Sequence, residues 1–440
     1  MGSRVRIFAA AIAVAAVSLP AAGTSFAARS ATGFRPVADG YVTAAARRAS
    51  FGKARTLRVA PRPTTRAYLR FRVRLAKGAV DRAVLRVYVT SGRGRLQARA
   101  VARRSWSERS LVYARAPRVG RLLASTRFSR GWKSLDVSAL ARAGGTFDVA
   151  LTATGAGAVA SREGGSRAPR LRVTVAPVVA AAGDIADCTS TGDEQTAALL
   201  AKLPANVVAA DGDLAYETGT AAEFANCYDP SWGRFKAITR PAAGNHEYES
   251  PGAAPYYAYW GSVAGTPGQG WYSYDLGSWH VVVLNSNCAF VGGCQAGSPQ
   301  ETWLRADLAA HPAKCTLAYW HHPLFSTGYT PGEPPVQPLF QALYDGHVEL
   351  VVNGHAHNYQ RWAPLSPTGA LDRSRGVREF VAGTGGKTLR SVGTRVATQE
   401  VANGDTLGVL ELTLRTGSYA WKFVPVAGRT FTDSGSAACR

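Results

Sequence analysis

Five short motifs hold the residues of this sequence that could do chemistry. In chain order they are Gly183-Asp184, Gly212-Asp213, Gly244-Asn245-His246-Glu247, His321-His322-Pro323 and Gly354-His355-Ala356-His357. Their side chains offer carboxylate, amide and imidazole ligands, a set that suits a pair of di- or trivalent metal ions. Each motif alone has an ordinary explanation, such as a helix cap, a turn or a paired polar residue. Their joint occurrence predicts a metal site.

Apolar strands precede these motifs and would position them. The segments VVAAAGDIAD and ANVVAADGD each run from a buried strand into an aspartate, and TLAYWHH and HVELVVNGHAH run into histidines. Helical patterns at 193–203, near 299–310 and near 336–345 alternate with the strands. This alternation predicts an α/β layered domain over residues 178–440. Ligands of such folds collect beyond the carboxyl ends of the strands, where the motifs lie.

Residues 34–176 follow a different pattern. In YLRFRVRL, apolar side chains alternate with Arg70, Arg72 and Arg74, and the same period of two recurs in VLRVYVT and LRVTV. Short alternating strands separated by Gly, Pro and Ser predict an all-β sandwich with an arginine-rich solvent face. Trp106, Trp132 and Tyr113 could form a platform for a sugar, but packing in the core or at an edge is the favoured interpretation.

Charge also divides the chain. Up to Pro177 there are 34 basic and 6 acidic residues, against 17 and 23 afterwards, so the formal net charge of +22 splits into +28 and −6. The basic half suggests an anionic partner, such as an acidic polysaccharide or cell-wall polymer. The alternative is that arginine serves only as a general surface residue. The sequence indicates neither specific nucleic-acid recognition nor a membrane span.

The N-terminus and the cysteines predict export. Residues 1–27 read as a signal peptide, with Arg4 and Arg6 before an apolar stretch and a small-residue cleavage site at 25–27. The six cysteines fit an oxidising compartment and allow 15 pairings. Cys288 with Cys294 is the first expectation, and Cys188 with Cys227 the second. The chain has no CxxC pair, which argues against a thiolate zinc site.

The N-terminal segment resembles the DNRLRE, or disaggregatase-related, carbohydrate-binding domains. The resemblance rests on ADGYVTAAARRASFGKARTLRV, RAYLRFRV, AVLRVYV, SWSERSLVYARAP and SREGGSRAPRLRV, in that order. It implies a jelly-roll sandwich over residues 34–176 that targets a secreted enzyme to a glycan. The YARAP stretch departs from the tryptophan and asparagines that the family usually has there.

The five motifs together resemble the calcineurin-like metallophosphoesterases, over residues 180–385. The resemblance implies a four-layer α/β sandwich with two metal ions and a metal-bound hydroxide that attacks a phosphoester. Asp213 would bridge the ions. Asp184 and His357 would bind the first ion, and Asn245, His321 and His355 the second. His246 would face the phosphate and assist the leaving group or orient the substrate.

Tyr216 points to one branch of that superfamily. The position two after Asp184, where other branches have a histidine ligand, is Ala186, so the first metal is one ligand short. Tyr216, three after Asp213, resembles the ligand of the purple acid phosphatases. A phenolate favours Fe(III), so the expected pair is Fe(III) with Fe(II), Zn(II) or Mn(II). Asp187 could coordinate instead, which would leave Tyr216 a packing residue.

One departure from the purple-phosphatase pattern concerns a further histidine near the substrate. Thr330 or Pro331 stands there, and His322 is the residue that could partly replace it. The predicted function is a secreted phosphatase acting on phosphomonoesters. A phosphodiesterase acting on nucleotides or phospholipid head groups, and a glycan-binding surface protein with a degenerate metal site, are the alternatives. The Tyr- and Trp-rich stretch at 248–277 could line the site, although aromatic packing is the favoured reading.

Overall fold

The computed structural model describes residues 32–440 except 76–78, 103–105 and 142–143. The predicted signal peptide, residues 1–27, therefore lies outside the described residues. No helix within the described ranges is long and apolar enough to cross a membrane.

Within the described residues, the N-terminal part contains eleven strands and one short α-helix. The strands are β1 Thr32–Phe34, β2 Ala38–Thr43, β3 Thr56–Val59, β4 Thr65–Val73, β5 Val80–Gly92, β6 Arg95–Val101, β7 Val119–Arg127, β8 Gly131–Asp136, β9 Gly145–Ala153, β10 Gly157–Ala160 and β11 Arg170–Val175. Helix α1 is Ser138–Ala141.

These strands form two antiparallel sheets that pack face to face. One sheet has the order β1-β11-β5-β10-β3, with β8 also paired to β5, and the other has the order β2-β4-β9-β6-β7. The alternation read from the sequence explains the packing: Leu69, Phe71 and Val73 point into the buried core, while Arg70 and Arg72 on the same strand are not buried. The all-β sandwich prediction is confirmed.

The three aromatic residues considered as a sugar platform lie in different surroundings. Trp106 is buried, and its indole N–H donates to Asp148 at 2.9 Å. Tyr113 is partly buried and packs against the same small core as Trp106. Trp132 is exposed, and the Arg86 guanidinium lies 5.1 Å from its ring centroid. Only Trp132 presents an open aromatic surface among the three.

The C-terminal part begins at strand β12 and contains the remaining strands. These are β12 Val178–Ala182, β13 Ala186–Asp187, β14 Val207–Asp211, β15 Ala215–Tyr216, β16 Thr239–Ala242, β17 Tyr272–Leu276, β18 Trp279–Val283, β19 Cys315–Tyr319, β20 Leu350–Asn353, β21 Tyr359–Trp362, β22 Arg378–Ala382, β23 Gln399–Asn403, β24 Gly408–Arg415, β25 Ser418–Pro425 and β26 Ser434–Ala438.

Six α-helices follow α1 along the chain. They are α2 Gly192–Leu200, α3 Ala221–Glu223, α4 Asn245–Glu249, α5 Ala254–Trp260, α6 Pro299–Ala310 and α7 Gln337–Asp345. Short 3₁₀ segments occur at Ala44–Ala46, Tyr113–Arg115, Gly165–Arg167, Trp232–Ile238, Pro251–Ala253, Gly261–Ala264, Cys288–Phe290 and Pro334–Val336, and a π-helical turn at Phe224–Tyr228. The predicted helices at 193–203, 299–310 and 336–345 correspond to α2, α6 and α7.

Two mixed sheets form the centre of this part. Their strand orders are β16-β14-β12-β24-β25-β26 and β17-β18-β19-β20-β22-β21-β23, and β13 pairs with β15 in a small separate sheet. One apolar core, which includes Val179, Val281 and Leu410, joins the facing sides of the large sheets. A second core packs the outer sides against α2, α6 and α7. The resulting helix–sheet–sheet–helix layering confirms the four-layer α/β prediction.

Three disulfides close the C-terminal part, and they pair Cys188 with Cys227, Cys288 with Cys294, and Cys315 with Cys439. Both expected pairings are confirmed. The third bond links the start of β19 to the residue after β26, across the two large sheets. Because such a bond restricts the unfolded chain, it stabilises the pairing of two segments 124 residues apart.

Candidate metal centre

The five motifs meet beyond the carboxyl ends of parallel strands. Strands β12 and β14 pair in parallel, and Asp184 and Asp213 each follow one of them by two residues. In the other large sheet, β19 and β20 also pair in parallel, with His321 after the first and His355 after the second. Asn245 is the first residue of α4. Strand direction therefore delivers these side chains to one edge, as the sequence predicted.

The backbone at this edge is strained. Among the five described non-glycine residues with positive φ are Asp184, Asp213 and His355, with φ of 59°, 51° and 66°. Such conformations cost free energy and persist where the surrounding structure holds them, often at functional sites. Two glycines permit the close approach: a Cβ on Gly212 would lie 2.6 Å from His321 Nδ1, and one on Gly244 would collide with the Asp213 carboxylate.

Tyr216 lies at the centre of the first half of the cluster. Its hydroxyl donates to Asp184 Oδ1 at 2.9 Å and is 3.2 Å from Asp213 Oδ2 and 3.3 Å from His357 Nε2. His357 Nε2 is itself 3.3 Å from Asp184 Oδ1. Three oxygen donors and one imidazole nitrogen thus converge on one small volume.

His321 links this half to the second. Its Nε2 lies 3.0 Å from Asp213 Oδ2 and 3.2 Å from Asn245 Oδ1. The His355 ring centroid is 5.1 Å from that of His321 and 4.4 Å from that of His322, and ligand atoms of these three histidines lie within 4.8 Å of one another. Asp213, in contact with both Tyr216 and His321, joins the two halves. All seven residues predicted as ligands are therefore brought together.

Burial and mutual charge set the electrostatics. Burial raises the pKa of Asp213, but the charges of His321 and His246 outweigh it and hold that pKa far below its usual range. Burial lowers the pKa of His321, yet Asp213 raises it to about 9. Burial, together with the charge of His321, lowers the pKa of His355 to about 4. The carboxylates are thus anionic at neutral pH, and His355 keeps a lone pair for a cation.

Three observations fit this cluster to metal ions. His321 Nδ1 lies 2.9 Å from the Asp211 carbonyl and His357 Nδ1 lies 2.9 Å from the Thr388 carbonyl, so both rings turn Nε2 towards the cluster. Metal-binding histidines are oriented in this way. Asp184 Oδ2 is buried and has no hydrogen-bond partner among the described residues. Finally, the Tyr216 oxygen lies 2.9 Å from Asp184 Oδ1 and 3.2 Å from Asp213 Oδ2, so one cation could contact all three oxygens. Burial and these carboxylates raise the pKa of Tyr216 well above its usual value, so it stays a phenol unless a cation lies beside it.

Asp187 does not point towards the cluster as an alternative to Tyr216. Its carboxylate accepts from Lys387 Nζ at 2.9 Å and from Thr189 Oγ1 at 2.8 Å. Lys387 also pairs with Glu217, and its Nζ lies 4.4 Å from the Tyr216 ring centroid. The sequence gave no signal for this lysine, because it lies 171 positions beyond Tyr216 in the chain.

Glu247 supports the loops that carry the ligands. Fully buried, it accepts the backbone N–H groups of Asp213 at 3.0 Å, Leu214 at 2.7 Å and Gly244 at 2.7 Å. It thereby ties the second motif to the third. The motif Gly-Asn-His-Glu contained this glutamate, but its role depends on a loop 34 residues upstream and could not be read from spacing.

The two predicted catalytic histidines lie on different sides of the cluster. His246 packs on Tyr216, with ring centroids 4.4 Å apart, and its Nδ1 contacts the Glu217 carbonyl. His322 Nδ1 is 2.7 Å from Ser286 Oγ, and its backbone N–H donates to the same oxygen at 3.0 Å. His322 is partly buried, and burial together with the charges of His321 and His355 lowers its pKa well below the usual value. It is therefore a neutral ring fixed by Ser286.

Two loop predictions can be compared with the structure. Thr330 accepts a hydrogen bond from Ser326 Oγ at 2.7 Å through its carbonyl, within the loop after His-His-Pro. The aromatic stretch packs inwards, because Tyr256, Tyr257, Trp260 and Trp271 are buried in the core beneath the helices. Aromatic packing, the favoured reading, is what the structure has. Phe290, in the loop between Cys288 and Cys294, is exposed. Its ring stacks on that of Tyr248, with ring centroids 4.8 Å apart.

Comparison with known families agrees with this architecture. Residues 30–175 match the family described as carbohydrate-binding module family 96, and residues 177–359 match the family described as calcineurin-like phosphoesterase. The second match contains the residues of all five motifs up to His357. Both resemblances read from the sequence are thereby confirmed at the level of the family.

Individual relatives include purple acid phosphatases of plants. Purple acid phosphatase 21 of Arabidopsis thaliana is 31% identical over 178 residues, which are 35% of this chain and 38% of that protein. Probable purple acid phosphatase 20 of the same plant is 28% identical over 210 residues, 42% and 46% of the two chains. The chain thus spans less than half the length of these relatives. A purple acid phosphatase from yellow lupin (Lupinus luteus) seeds aligns with a TM-score of 0.49 and 14% identity, over 85% of this chain and 72% of that one.

Proposed function

We propose that this chain, whose C-terminal part is a calcineurin-like phosphoesterase domain with purple acid phosphatases among its relatives, hydrolyses phosphate esters and prefers phosphomonoesters. The observation that carries the proposal is the contact of Tyr216 with Asp184, Asp213 and His357 in one buried cluster. Asp184 Oδ2, which is buried without a hydrogen-bond partner among the described residues, would gain one in a bound cation, and an unpartnered buried polar atom is costly.

The side chains that would hold two cations divide around Asp213. Asp184, Tyr216 and His357 would bind the first, Asn245, His321 and His355 the second, and Asp213 both. When bound, such a pair would offset the charge that grows on a reacting phosphoryl group and acidify a water molecule. Glu247 and the carbonyl groups of Asp211 and Thr388 would keep the ligands in place.

The chain's histidines would handle the ester. His246 is about a quarter exposed, and its Nδ1 contact with the Glu217 carbonyl leaves Nε2 available to hold a proton for the leaving oxygen. His322, neutral and held by Ser286, would orient a phosphoryl oxygen or water beside His355. It would take over part of the work of the histidine that Thr330 replaces.

We assign Fe(III) to the Tyr216 side and Fe(II), Zn(II) or Mn(II) to the other. A phenolate is a hard anionic donor that favours Fe(III), and Ala186 offers no competing ligand. The test is the visible spectrum of the metal-loaded protein together with its metal content. A charge-transfer band that is absent in Tyr216→Phe is expected, whereas an active, colourless and iron-free protein would contradict the assignment.

Substrate preference is tested with metal-loaded protein and two synthetic esters. Faster hydrolysis of p-nitrophenyl phosphate than of bis-p-nitrophenyl phosphate is expected, and Asp213→Asn serves as the inactive control. The opposite preference would make the chain a phosphodiesterase. If neither ester is hydrolysed, the remaining reading is a glycan-binding protein with a degenerate metal site.

We further propose that the protein is exported and that its sandwich binds an acidic polysaccharide. Three disulfides suit an oxidising compartment. On the outer face of one sheet, Arg82, Arg86 and Arg172 line a groove of about 420 Å³ with Val84, Ser134 and Thr174. Retention of the full chain on a polyuronate column, lost at high salt and in the triple Ser variant of these arginines, would support this role. Equal retention on a neutral glucan column would contradict it.

A further inference from the structure

Lys387 occupies a place that neither the predicted ligand set nor the proposed reaction uses. We propose that Lys387 is a positioning residue that holds a positive charge against the face of Tyr216 and thereby weakens electron donation from the phenolate to its metal ion. This inference rests on the proposed function, because it concerns Tyr216 as a ligand of Fe(III).

The geometry fixes the ammonium over the ring. Lys387 Nζ lies 4.4 Å from the ring centroid of Tyr216, and the lysine side chain is only 12% exposed. Nζ donates to Asp187 Oδ2 at 2.9 Å and also contacts the Glu217 carboxylate. At the other end of the residue, the Lys387 backbone N–H donates to the Asp184 carbonyl at 2.9 Å. Both ends of the residue are therefore held.

The two carboxylates that hold Nζ are themselves tied to Tyr216. Asp187 is the direct partner of Tyr216 in the parallel pairing of β13 and β15, and Glu217 follows Tyr216 in the chain. The ammonium, its two anchors and the ring therefore form one unit, and Lys387 cannot leave the ring without losing both ion pairs.

The electrostatic consequence has a definite sign. A cation within about 6 Å of an aromatic face is attracted by the electrons of the ring. A phenolate places part of its negative charge on the ring. The attraction is therefore larger for Tyr216 as a metal-bound phenolate than for Tyr216 as a neutral phenol. The ammonium therefore stabilises the filled orbitals of the phenolate. Transfer of an electron from ring to Fe(III) then requires more energy, and Fe(III) is less strongly stabilised against reduction.

The experiment compares the visible spectrum and iron reduction potential of metal-loaded protein in four variants. Lys387→Gln retains a donor for Asp187 and Glu217 but removes the charge, and Lys387→Met removes both. Lys387→Arg keeps the charge. Lys422→Met, on the exposed side of β25, is the matched control because it removes a lysine far from the cluster in the same domain.

We expect the charge-transfer band to shift to longer wavelength and the potential to fall in Lys387→Gln and Lys387→Met. Lys387→Arg should keep both close to wild type, and Lys422→Met should change neither. A folded Lys387→Gln protein, checked by circular dichroism, with an unshifted band and potential would overturn the inference and reduce Lys387 to a structural strut. Absence of any such band in the iron-loaded wild type would instead overturn the iron assignment, so the two failures are distinguishable.

Discussion

Two clusters of histidine and aspartate lie at opposite ends of the same seven-stranded sheet. One is the candidate metal centre beyond the end of β19, and the other joins His280, near the start of the parallel strand β18, to Asp307 of α6 and to the exposed His311 that follows this helix. His280 Nδ1 lies 3.0 Å from Asp275 Oδ1, and its Nε2 lies 2.8 Å from Asp307 Oδ2. Both nitrogen atoms of the buried ring are thus paired with carboxylates.

The two clusters differ in whether protein groups supply hydrogen-bond partners for all of their buried polar atoms. In the His280 cluster, Asp307 also accepts from Ser273 Oγ at 2.8 Å, so protein groups meet the demands of the buried ring and carboxylate. In the candidate metal centre, two carboxylates face each other across Tyr216, and Asp184 Oδ2 has no partner within the described part of the chain. Histidine and aspartate therefore build a structural ion pair in one place and part of a candidate metal centre in the other.

Asp213→Asn should give the largest effect of the four variants or conditions, and it tests whether the candidate metal centre serves activity and not stability. Loss of the shared carboxylate removes the charge that both halves of the cluster use, so kcat/KM for p-nitrophenyl phosphate should fall by at least about 10²–10³-fold, as for other lost charge-stabilising groups. The free energy of unfolding of the metal-free protein should fall much less than the loss of activity would suggest. A variant with near-normal turnover would contradict the central place of Asp213.

Glu247→Gln tests the support of the ligand loops. An amide keeps one acceptor but cannot serve the N–H groups of Asp213, Leu214 and Gly244 equally, so the loops should loosen. Metal affinity or activity should fall about 10–100-fold, the range for residues that hold metal ligands in place. Competition with a chelator measures the affinity. An unchanged value would show that the loops are fixed by other contacts.

Asp307→Asn should lower the stability of the protein and leave its turnover unchanged. It removes one of the two carboxylate partners of His280 and should lower the free energy of unfolding by about 1.5–3 kcal/mol, as for hydrogen bonds to charged groups. Urea denaturation measures the loss. The kcat of the metal-loaded variant should equal that of wild type, and a fall in kcat would connect the two clusters.

The pH dependence of stability should show the smallest effect. Burial lowers the pKa of His280, but Asp307 and Asp275 outweigh it and raise the pKa above about 6.5, the usual value for histidine. The protonated ring therefore stabilises the fold fully below that value, and this contribution is lost as pH rises through the raised pKa. The stability difference between wild type and Asp307→Asn should shrink over that window. Both proteins contain His321 and His357, so the contributions of these residues cancel in the stability difference. A stability difference that does not change with pH would contradict the charged state of His280.

Much of this architecture was accessible from sequence because local patterns carried it. The period of two in β4 predicted its buried face, and the apolar segments before Asp184 and Asp213 predicted buried strands of an α/β domain. Two disulfides followed from short spacing or a shared face. The third, Cys315 with Cys439, did not, because its partners are 124 residues apart and approach only through the pairing of the sheets.

The sequence alone predicted which residues belong to the candidate metal centre. It did not predict which other residues hold them in place. Carboxylates and histidines at strand ends predicted a metal site, and the resemblance to the calcineurin-like phosphoesterases and purple acid phosphatases implied the seven ligands. Only the tertiary structure decided that Asp187 pairs with Lys387, that Glu247 holds the Asp213 loop, and that Lys387 lies over Tyr216. These contacts join residues 34 to 200 positions apart, and no periodicity encodes a distance between side chains that meet through separate loops.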